Sequence, residues 1–198
     1  MEWIRRGSYA GWILILFGIF LLGTSSSSRA QESCLLGGQV ANILQGFEIS
    51  PVPLDLSGKN PLHVGLGSYI VNAQGACNDC HTEPAYAPGG DPFLGEPEQI
   101  NTEGYLQGGR AFGPFIGRNL RPCNAEGQPA GLTLEEFITV MRTGADLKDA
   151  EFQPPDTPIL QVMPWVVYTH MTDCDLQAIY EYLRALPPTE GCAPRMPN

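Results

Sequence analysis

Two cysteines and a histidine form the motif with the most direct chemical meaning in this 198-residue chain. The stretch Cys77-Asn78-Asp79-Cys80-His81 has the spacing C-x-x-C-H, which is the attachment pattern of a c-type haem. Two thiols at this spacing can each add to one vinyl group of haem, and the adjacent imidazole can bind the iron. The sequence therefore predicts one covalent haem c, with Cys77 and Cys80 as its anchors and His81 as an iron ligand.

The same cysteines permit two other interpretations. A thioredoxin-like redox site places C-x-x-C at a turn from a strand to a helix, whereas the residues before Cys77 have helical spacing. A zinc site needs two more ligands with paired spacing, but His63 and His170 are isolated in the sequence and no second C-x-x-C is present. We therefore favour haem over both.

Met163 is predicted to be the second iron ligand. It precedes Pro164, which restricts the backbone, in a stretch without helical periodicity just before the last predicted helix. The other methionines beyond the N-terminal segment have structural interpretations. Met141 fits the apolar stripe of its helix, Met171 fits a hydrophobic staple, and Met196 lies in the C-terminal tail. Ligation by histidine and methionine raises the reduction potential relative to two imidazoles, and His63 or His170 is the alternative ligand.

Three segments with helical spacing of apolar residues predict core helices: Leu62–Ala73, Leu132–Arg142 and Met171–Leu186. The first has a stripe at i, i+3, i+4 and i+7, formed by Leu66, Tyr69, Ile70 and Ala73. A shorter helix is expected within Val40–Phe47. No strand is clearly indicated, so the predicted fold class is all-α.

Local signals define the ends of the two later helices. Thr133 with Glu136 predicts a capping box, as does Thr172 with Asp175. Gly144 is placed to end the helix that begins after Thr133.

A long segment between these helices, Thr82–Gly117, is rich in glycine and proline with apolar side chains interleaved. Such loops are uncommon without a function. Its apolar residues could pack on the haem or form a small core of their own. Arg110 and Arg118 could each hydrogen-bond a haem propionate or remain solvated on the surface.

The N-terminus has the pattern of an export signal. Arg5 and Arg6 precede the apolar run Trp12–Leu22, and Ser28–Ala30 supplies small residues for cleavage after Ala30. An uncleaved membrane anchor over Tyr9–Thr24 is the alternative. Either form predicts a periplasmic or otherwise exported protein, free or tethered to the membrane.

Four cysteines lie outside the haem motif, and an exported chain favours disulfides between them. Cys34, Cys123, Cys174 and Cys192 permit three pairings, which the sequence leaves open. The terminal positions of Cys34 and Cys192 favour that pair, which would leave Cys123 bonded to Cys174.

The chain is acidic, with a formal net charge of −10. Removal of residues 1–30 takes away three basic residues and one acid, which makes the net charge −12. This charge argues against nucleic acid and anionic lipid as partners. It favours a protein partner with a basic patch, or it serves solubility alone.

The order of features along the chain resembles that of a single-haem class I cytochrome c. These features are the helix with Tyr69, the C-x-x-C-H motif, the helix after Thr133, Met163-Pro164 and the final helix. More narrowly, Arg118-Asn119-Leu120, the segment 132–137 and Arg142-Thr143-Gly144 are similar to the cytochrome c subunits and domains of periplasmic alcohol and sugar-acid dehydrogenases. The resemblance implies a class I cytochrome c fold, crossing of the first and last helices near Gly65 and Tyr69, and His81 and Met163 as axial ligands.

The resulting organisation is a signal peptide or anchor (1–30), an extension or linker (31–61), a cytochrome c domain (62–188) with long loops rich in glycine and proline, and a tail (189–198). The expected function is electron transfer between redox proteins rather than catalysis. Two alternatives stay open: a haem subunit tightly bound to a larger dehydrogenase or oxidoreductase, and a haem enzyme with an open distal site.

Overall fold

The computed structural model describes residues 39–146, 148 and 159–196. Six α-helices lie in these ranges: α1 Val40–Ile49, α2 Pro61–Tyr69, α3 Cys77–His81, α4 Leu134–Thr143, α5 Trp165–Tyr168 and α6 Asp173–Ala185. A π-helical turn, Ile70–Gln74, continues α2, and a 3-10 turn covers Pro92–Leu94. Strands β1 (Ala111–Phe112) and β2 (Phe115–Ile116) form one antiparallel pair. No helix within those ranges has the length and hydropathy that crossing a bilayer requires. The predicted signal segment and Cys34 lie outside the described residues.

Helix α2 lies at the centre of the core and contacts α1 on one side and α6 on the other. Both contacts are made through glycine. A Cβ built on Gly46 would lie 1.9 Å from the carbonyl oxygen of Gly65, and one on Gly67 would lie 1.9 Å from that of Ala178. Helix α2 thus meets the last helix at Gly67, which lies between the two expected positions, Gly65 and Tyr69. Gly65 instead faces α1.

Helix α1 confirms the short helix expected in the extension and continues it to Ile49. It belongs to the core, because Ile43 is only 5% exposed and the Ser68 hydroxyl on α2 donates to the Gly46 carbonyl oxygen over 2.6 Å. The helix therefore covers one side of α2, and residues 39–61 contribute to the domain rather than only leading into it.

The π-helical turn changes which residues of the first core helix are buried. Leu66 and Ile70 of the predicted stripe are buried, but Tyr69 is only partly buried and Ala73 is exposed. The i, i+7 spacing assumes a regular α-helix, whereas a π turn inserts extra residues per turn and rotates the following side chains. The prediction for Ala73 was wrong for this reason, and Val71 is buried instead.

Both predicted capping boxes are confirmed. The Thr133 hydroxyl accepts from the Glu136 N–H while the Glu136 carboxylate accepts from the Thr133 N–H, and Thr172 with Asp175 does the same at α6. Gly144 ends α4 in the left-handed conformation with φ of 70°. The two helices begin two residues later than predicted, because the apolar residues ahead of each cap lie outside the helix.

The apolar side chains of the long loop pack in two places. Tyr105 and Leu106 are fully buried in the core, and the Leu106 N–H donates to the Thr82 hydroxyl over 2.9 Å. In contrast, Phe112 and Phe115 line a separate cavity. Their strand pair was not foreseen, because two strands of two residues leave no alternating pattern to read.

The disulfide pairing differs from the one favoured by the sequence. Cys123 is bonded to Cys192, with Cα atoms 4.8 Å apart, and Cys174 is also disulfide-bonded. The pairs Cys34–Cys192 and Cys123–Cys174 were therefore wrong. The chain after α6 turns back along the loop that contains Cys123, where the Asn119 amide donates to the Thr189 hydroxyl over 2.9 Å. Chain reversal after Pro188, rather than terminal position, brings Cys192 to its partner.

Candidate functional site

A cavity of about 330 Å³ lies between helix α3, which carries the C-x-x-C-H motif, and the segment before α5. The four predicted site residues, Cys77, Cys80, His81 and Met163, all line it. The rest of its wall is mainly apolar and includes Val71, Phe112, Leu132, Phe137, Ile179 and Leu183. Residues separated by more than 80 positions in the sequence thus meet around one apolar space, within the size range of cofactor and ligand sites.

Helix α3 presents its two thiols on one face, because residues at i and i+3 are neighbours on a helix. Neither Cys77 nor Cys80 is in a disulfide. Burial raises the pKa of Cys77 to about 12 and also raises the pKa of Cys80. Both thiols are therefore protonated at neutral pH, and neither is bonded to the other as in an oxidised thioredoxin-like site.

The backbone turns sharply just before α3. Ala76 adopts the left-handed conformation with φ of 47° and ψ of 36°, which is uncommon for a residue other than glycine. Next to it, a Cβ on Gly75 would lie 3.1 Å from the Cys77 sulfur, so glycine leaves room for that thiol. The π turn and this left-handed residue together direct α3 toward the cavity.

His81 is held in one tautomer. Its Nδ1 lies 2.8 Å from the Arg118 carbonyl oxygen, and a carbonyl can only accept, so Nδ1 carries the proton. Burial lowers the pKa of His81, which favours the neutral ring. The Nε2 lone pair is then available to a metal, and the hydrogen bond to Nδ1 fixes the orientation of the ring.

Arg118 has two roles at the cavity wall. Its backbone oxygen orients His81, while its guanidinium forms an ion pair with Asp146 and donates to the Ala130 carbonyl oxygen over 2.6 Å. The two charged side chains are only 11% and 4% exposed. The Arg118 guanidinium is thus largely buried and paired with Asp146. Arg110, the other arginine considered, borders a neighbouring hollow with Asp79 and Tyr86.

Met163 lies in a segment fixed to the end of α4 by Trp165. The Trp165 indole N–H donates to the Leu160 carbonyl oxygen over 3.1 Å, and the Leu160 N–H donates to the Gly144 carbonyl oxygen over 2.8 Å. A Cβ on Gly144 would lie 2.5 Å from the Trp165 indole nitrogen, so the indole packs directly on the glycine that ends α4. Sequence reasoning missed this role of Trp165, although a tryptophan beside Met163-Pro164 was a usable signal.

The alternative ligands are distributed unevenly around the cavity. Met141 and Met171 also line it, whereas Met196 does not and is 56% exposed. His63 is buried outside the cavity lining, and His170 is exposed. Both remaining histidines are therefore absent from the wall that His81 and Met163 share.

Among the described residues, no group of three or more histidine, cysteine, aspartate or glutamate side chains could hold a metal ion. The zinc interpretation thus gains no support there. The donor set around the cavity fits haem c instead, since two free thiols, one available imidazole nitrogen and a thioether border an apolar space. A buried guanidinium also lies on the wall.

Comparisons of this chain with protein-family models, with curated proteins and with solved structures find no match.

Proposed function

We propose that this chain is an exported c-type cytochrome that carries single electrons through one covalently attached haem. One observation carries the proposal: Cys77, Cys80, His81 and Met163 line the same apolar cavity, with His81 held in the tautomer that leaves Nε2 available. The class I cytochrome c fold is part of the proposal. Its support is the order of elements and the backbone contact between α2 and α6, which flank the motif and the methionine.

Each residue then has a defined task. Cys77 and Cys80 would hold haem by thioether bonds, and His81 and Met163 would bind its iron. The bound group supplies a one-electron iron couple. The chain keeps the imidazole in place through the Arg118 carbonyl and the thioether in place through Trp165, so that neither ligand has to move when the charge changes. The apolar walls exclude water from the site, which together with the thioether favours a higher potential.

Export is supported by the Cys123–Cys192 disulfide, because such bonds persist in oxidising compartments. The acidic charge supports transient docking to a basic redox partner. The alternative is a tightly bound haem subunit of a larger oxidoreductase. Purification from native cells separates the two, because a free carrier elutes alone whereas a subunit elutes with its partners.

The covalent haem is tested first. The protein is produced in a host that matures c-type haem and is then extracted with acid acetone, after which a pyridine haemochrome assay measures the haem left on the polypeptide. We expect the haem to remain with the wild-type protein and with His170→Ala, whose exposed side chain lies outside the cavity lining. The double variant Cys77→Ala/Cys80→Ala should lose it. Complete extraction from the wild type would refute the proposal.

The distal ligand is tested by the far-red charge-transfer band that a thioether gives with ferric haem. We expect the wild type to show this band and Met163→Leu to lose it. The matched control is Met171→Leu, because Met171 also lines the cavity. A wild-type protein without the band would instead favour an enzyme with an open distal site, and loss of the band only in Met171→Leu would reassign the ligand.

A further inference from the structure

A hydrogen-bonded loop lies next to the haem motif, bounded by the isolated bridge between Tyr86 and Ile100. Within this 86–100 loop, the Ala87 N–H donates to the Gln99 carbonyl oxygen over 2.8 Å and the Gln99 N–H donates to the Gly90 carbonyl oxygen over 2.9 Å. The Asp91 carboxylate caps the short 3-10 turn by accepting from the Phe93 N–H. These bonds fix the loop before any partner binds, which lowers the entropy lost on binding.

The turn of this loop presents two large apolar side chains to solvent. Phe93 and Leu94 are 79% and 76% exposed, the highest values among the large hydrophobic residues that the structure describes. The Phe93 ring makes one edge-on ring contact, with Tyr86 at 6.3 Å between centroids. An aromatic residue and a leucine held outward by a fixed turn resemble the anchors that dominate binding energy at protein interfaces.

The segment that carries these two side chains is acidic. The segment 79–109 contains six acidic residues and no lysine or arginine, and the acids are Asp79, Glu83, Asp91, Glu96, Glu98 and Glu103. Among the described ion pairs, only Glu103 of these six has a partner, Arg195. Arg110 follows the segment and lines the same hollow as Phe93, together with Asp79 and Asp91. The apolar pair therefore lies in a predominantly acidic segment, with Arg110 as a basic neighbour.

The loop is also connected to the candidate haem site. The Tyr86 hydroxyl donates to the Asp79 carboxylate over 3.1 Å, and Asp79 lies between the two cysteines on α3. The Asn78 amide donates to the Ala85 carbonyl oxygen over 3.1 Å. A partner that binds the 86–100 loop would thus be held beside the helix that carries both thiols.

The geometry points to the 86–100 loop as the docking surface for a protein that has an apolar pocket rimmed by lysine and arginine, and that exchanges electrons with this chain. The statement that this partner exchanges electrons with the chain rests on the proposed function. The acidic charge of the loop argues against two other binding partners, an anionic membrane and a second copy of this chain. An anionic bilayer would repel the carboxylates, and a second copy of the chain would bring a net charge of −10 to the same contact.

A photo-crosslinking amino acid of the benzophenone type at position 93 tests the contact. The haem-loaded protein carrying this probe is added to an extract of the cells that naturally produce the protein, and the mixture is irradiated. The adducts are then mapped by mass spectrometry. The matched control carries the probe at Leu44, which is 64% exposed on α1. We expect one dominant protein adduct from position 93, absent from position 44, attached at an apolar pocket rimmed by lysine and arginine, and weakened by added salt.

The partner so identified is purified, and its second-order rate of electron exchange is measured with Phe93→Ser/Leu94→Ser. We expect a loss of about 30-fold, the size of one interface hot spot. Val40→Ser/Leu44→Ser, with similarly exposed side chains on α1, should stay within about twofold of the wild type. Equal adducts from both probe positions, an adduct to lipid or to a second copy, or an unchanged rate in the loop variant would each overturn the docking inference.

Reduction of the haem by ascorbate keeps the two proposals distinguishable. If the wild type has no haem absorbance or shows no change on reduction, the proposed function fails, and a mapped basic pocket would leave docking standing without an electron-transfer role. Suppose instead that the loop variant is reduced by ascorbate as fast as the wild type and also exchanges electrons with the partner as fast as the wild type. In that case only the docking inference fails, and the proposed function stands.

Discussion

Substitution of Gly67 by alanine should push apart the two helices that frame the candidate site. The new methyl carbon would lie 1.9 Å from the Ala178 carbonyl oxygen and 2.8 Å from the Tyr182 Cβ, whereas ordinary contacts are 3.4–4 Å. Both obstacles are held by α6, so neither can rotate aside as the end of a long side chain would. Helices α2 and α6 would have to separate by roughly 1.5 Å, in a core that packs at crystal-like density.

The magnitude follows from two opposing effects. Overpacking that moves backbone costs about 3 kcal/mol, while alanine in a helix recovers about 1 kcal/mol relative to glycine. The free energy of unfolding should therefore fall by about 2 kcal/mol, which corresponds to a drop in Tm of roughly 4–8 °C for a protein of this size.

Guanidinium unfolding followed by circular dichroism measures this change. In the haem-loaded protein, the visible spectrum would report whether the proposed site moves with the helices. Gly191→Ala is the control, because a Cβ there has nothing within 4 Å. Gly46→Ala should behave like Gly67→Ala, since its Cβ would lie 1.9 Å from the Gly65 carbonyl oxygen. A Gly67→Ala protein within about 0.5 kcal/mol of the wild type would refute the argument that the crossing requires glycine.

Three further predictions concern the disulfide, the buried histidine and the distal segment. Cys123→Ala/Cys192→Ala opens a loop with a sequence separation of 69, and the unfolding free energy should drop by about 4 kcal/mol, as measured by denaturant titration against the reduced and oxidised wild type. Burial lowers the pKa of His63 below its usual 6.5, so the contribution of His63 to the free energy of unfolding is present above pH 6.5 and is lost as the pH falls through the folded pKa. His63→Leu should reduce the dependence of the unfolding free energy on pH between pH 8 and 5, as measured by denaturant titration at each pH. The same measurement on His170→Leu, whose side chain is exposed, should match the wild type. Trp165→Phe removes the indole N–H that donates to Leu160 and should cost about 1 kcal/mol, with the far-red band lost at a lower temperature than in the wild type; identical melting of the band would contradict the anchoring role of Trp165.

The parts of the fold that the sequence predicted well are those determined by neighbouring residues. The capping boxes of α4 and α6 and the glycine that ends α4 depend on side chains three positions apart, so their signals are local. The C-x-x-C-H motif is equally local, and its cysteines and histidine line one cavity together with Met163.

Features that depend on distant segments were missed. The π turn at Ile70–Gln74 displaced the predicted stripe, and no residue type in it announces the change. The partner of Cys123 depended on the direction of the chain after Pro188 rather than on spacing. The Arg118 carbonyl is a backbone group, so the hydrogen bond that orients His81 has no signature in residue identity.

The docking of α1 against α2 also limits how far an uncleaved protein could travel. Because α1 belongs to the packed domain from Val40 on, at most the 14 residues between Thr24, at the end of the apolar run, and Gln39 could serve as a tether. A chain of that length reaches at most about 50 Å when fully extended. A tethered form could therefore deliver electrons only to acceptors close to the bilayer surface, whereas a form cleaved after Ala30 could diffuse across the whole compartment.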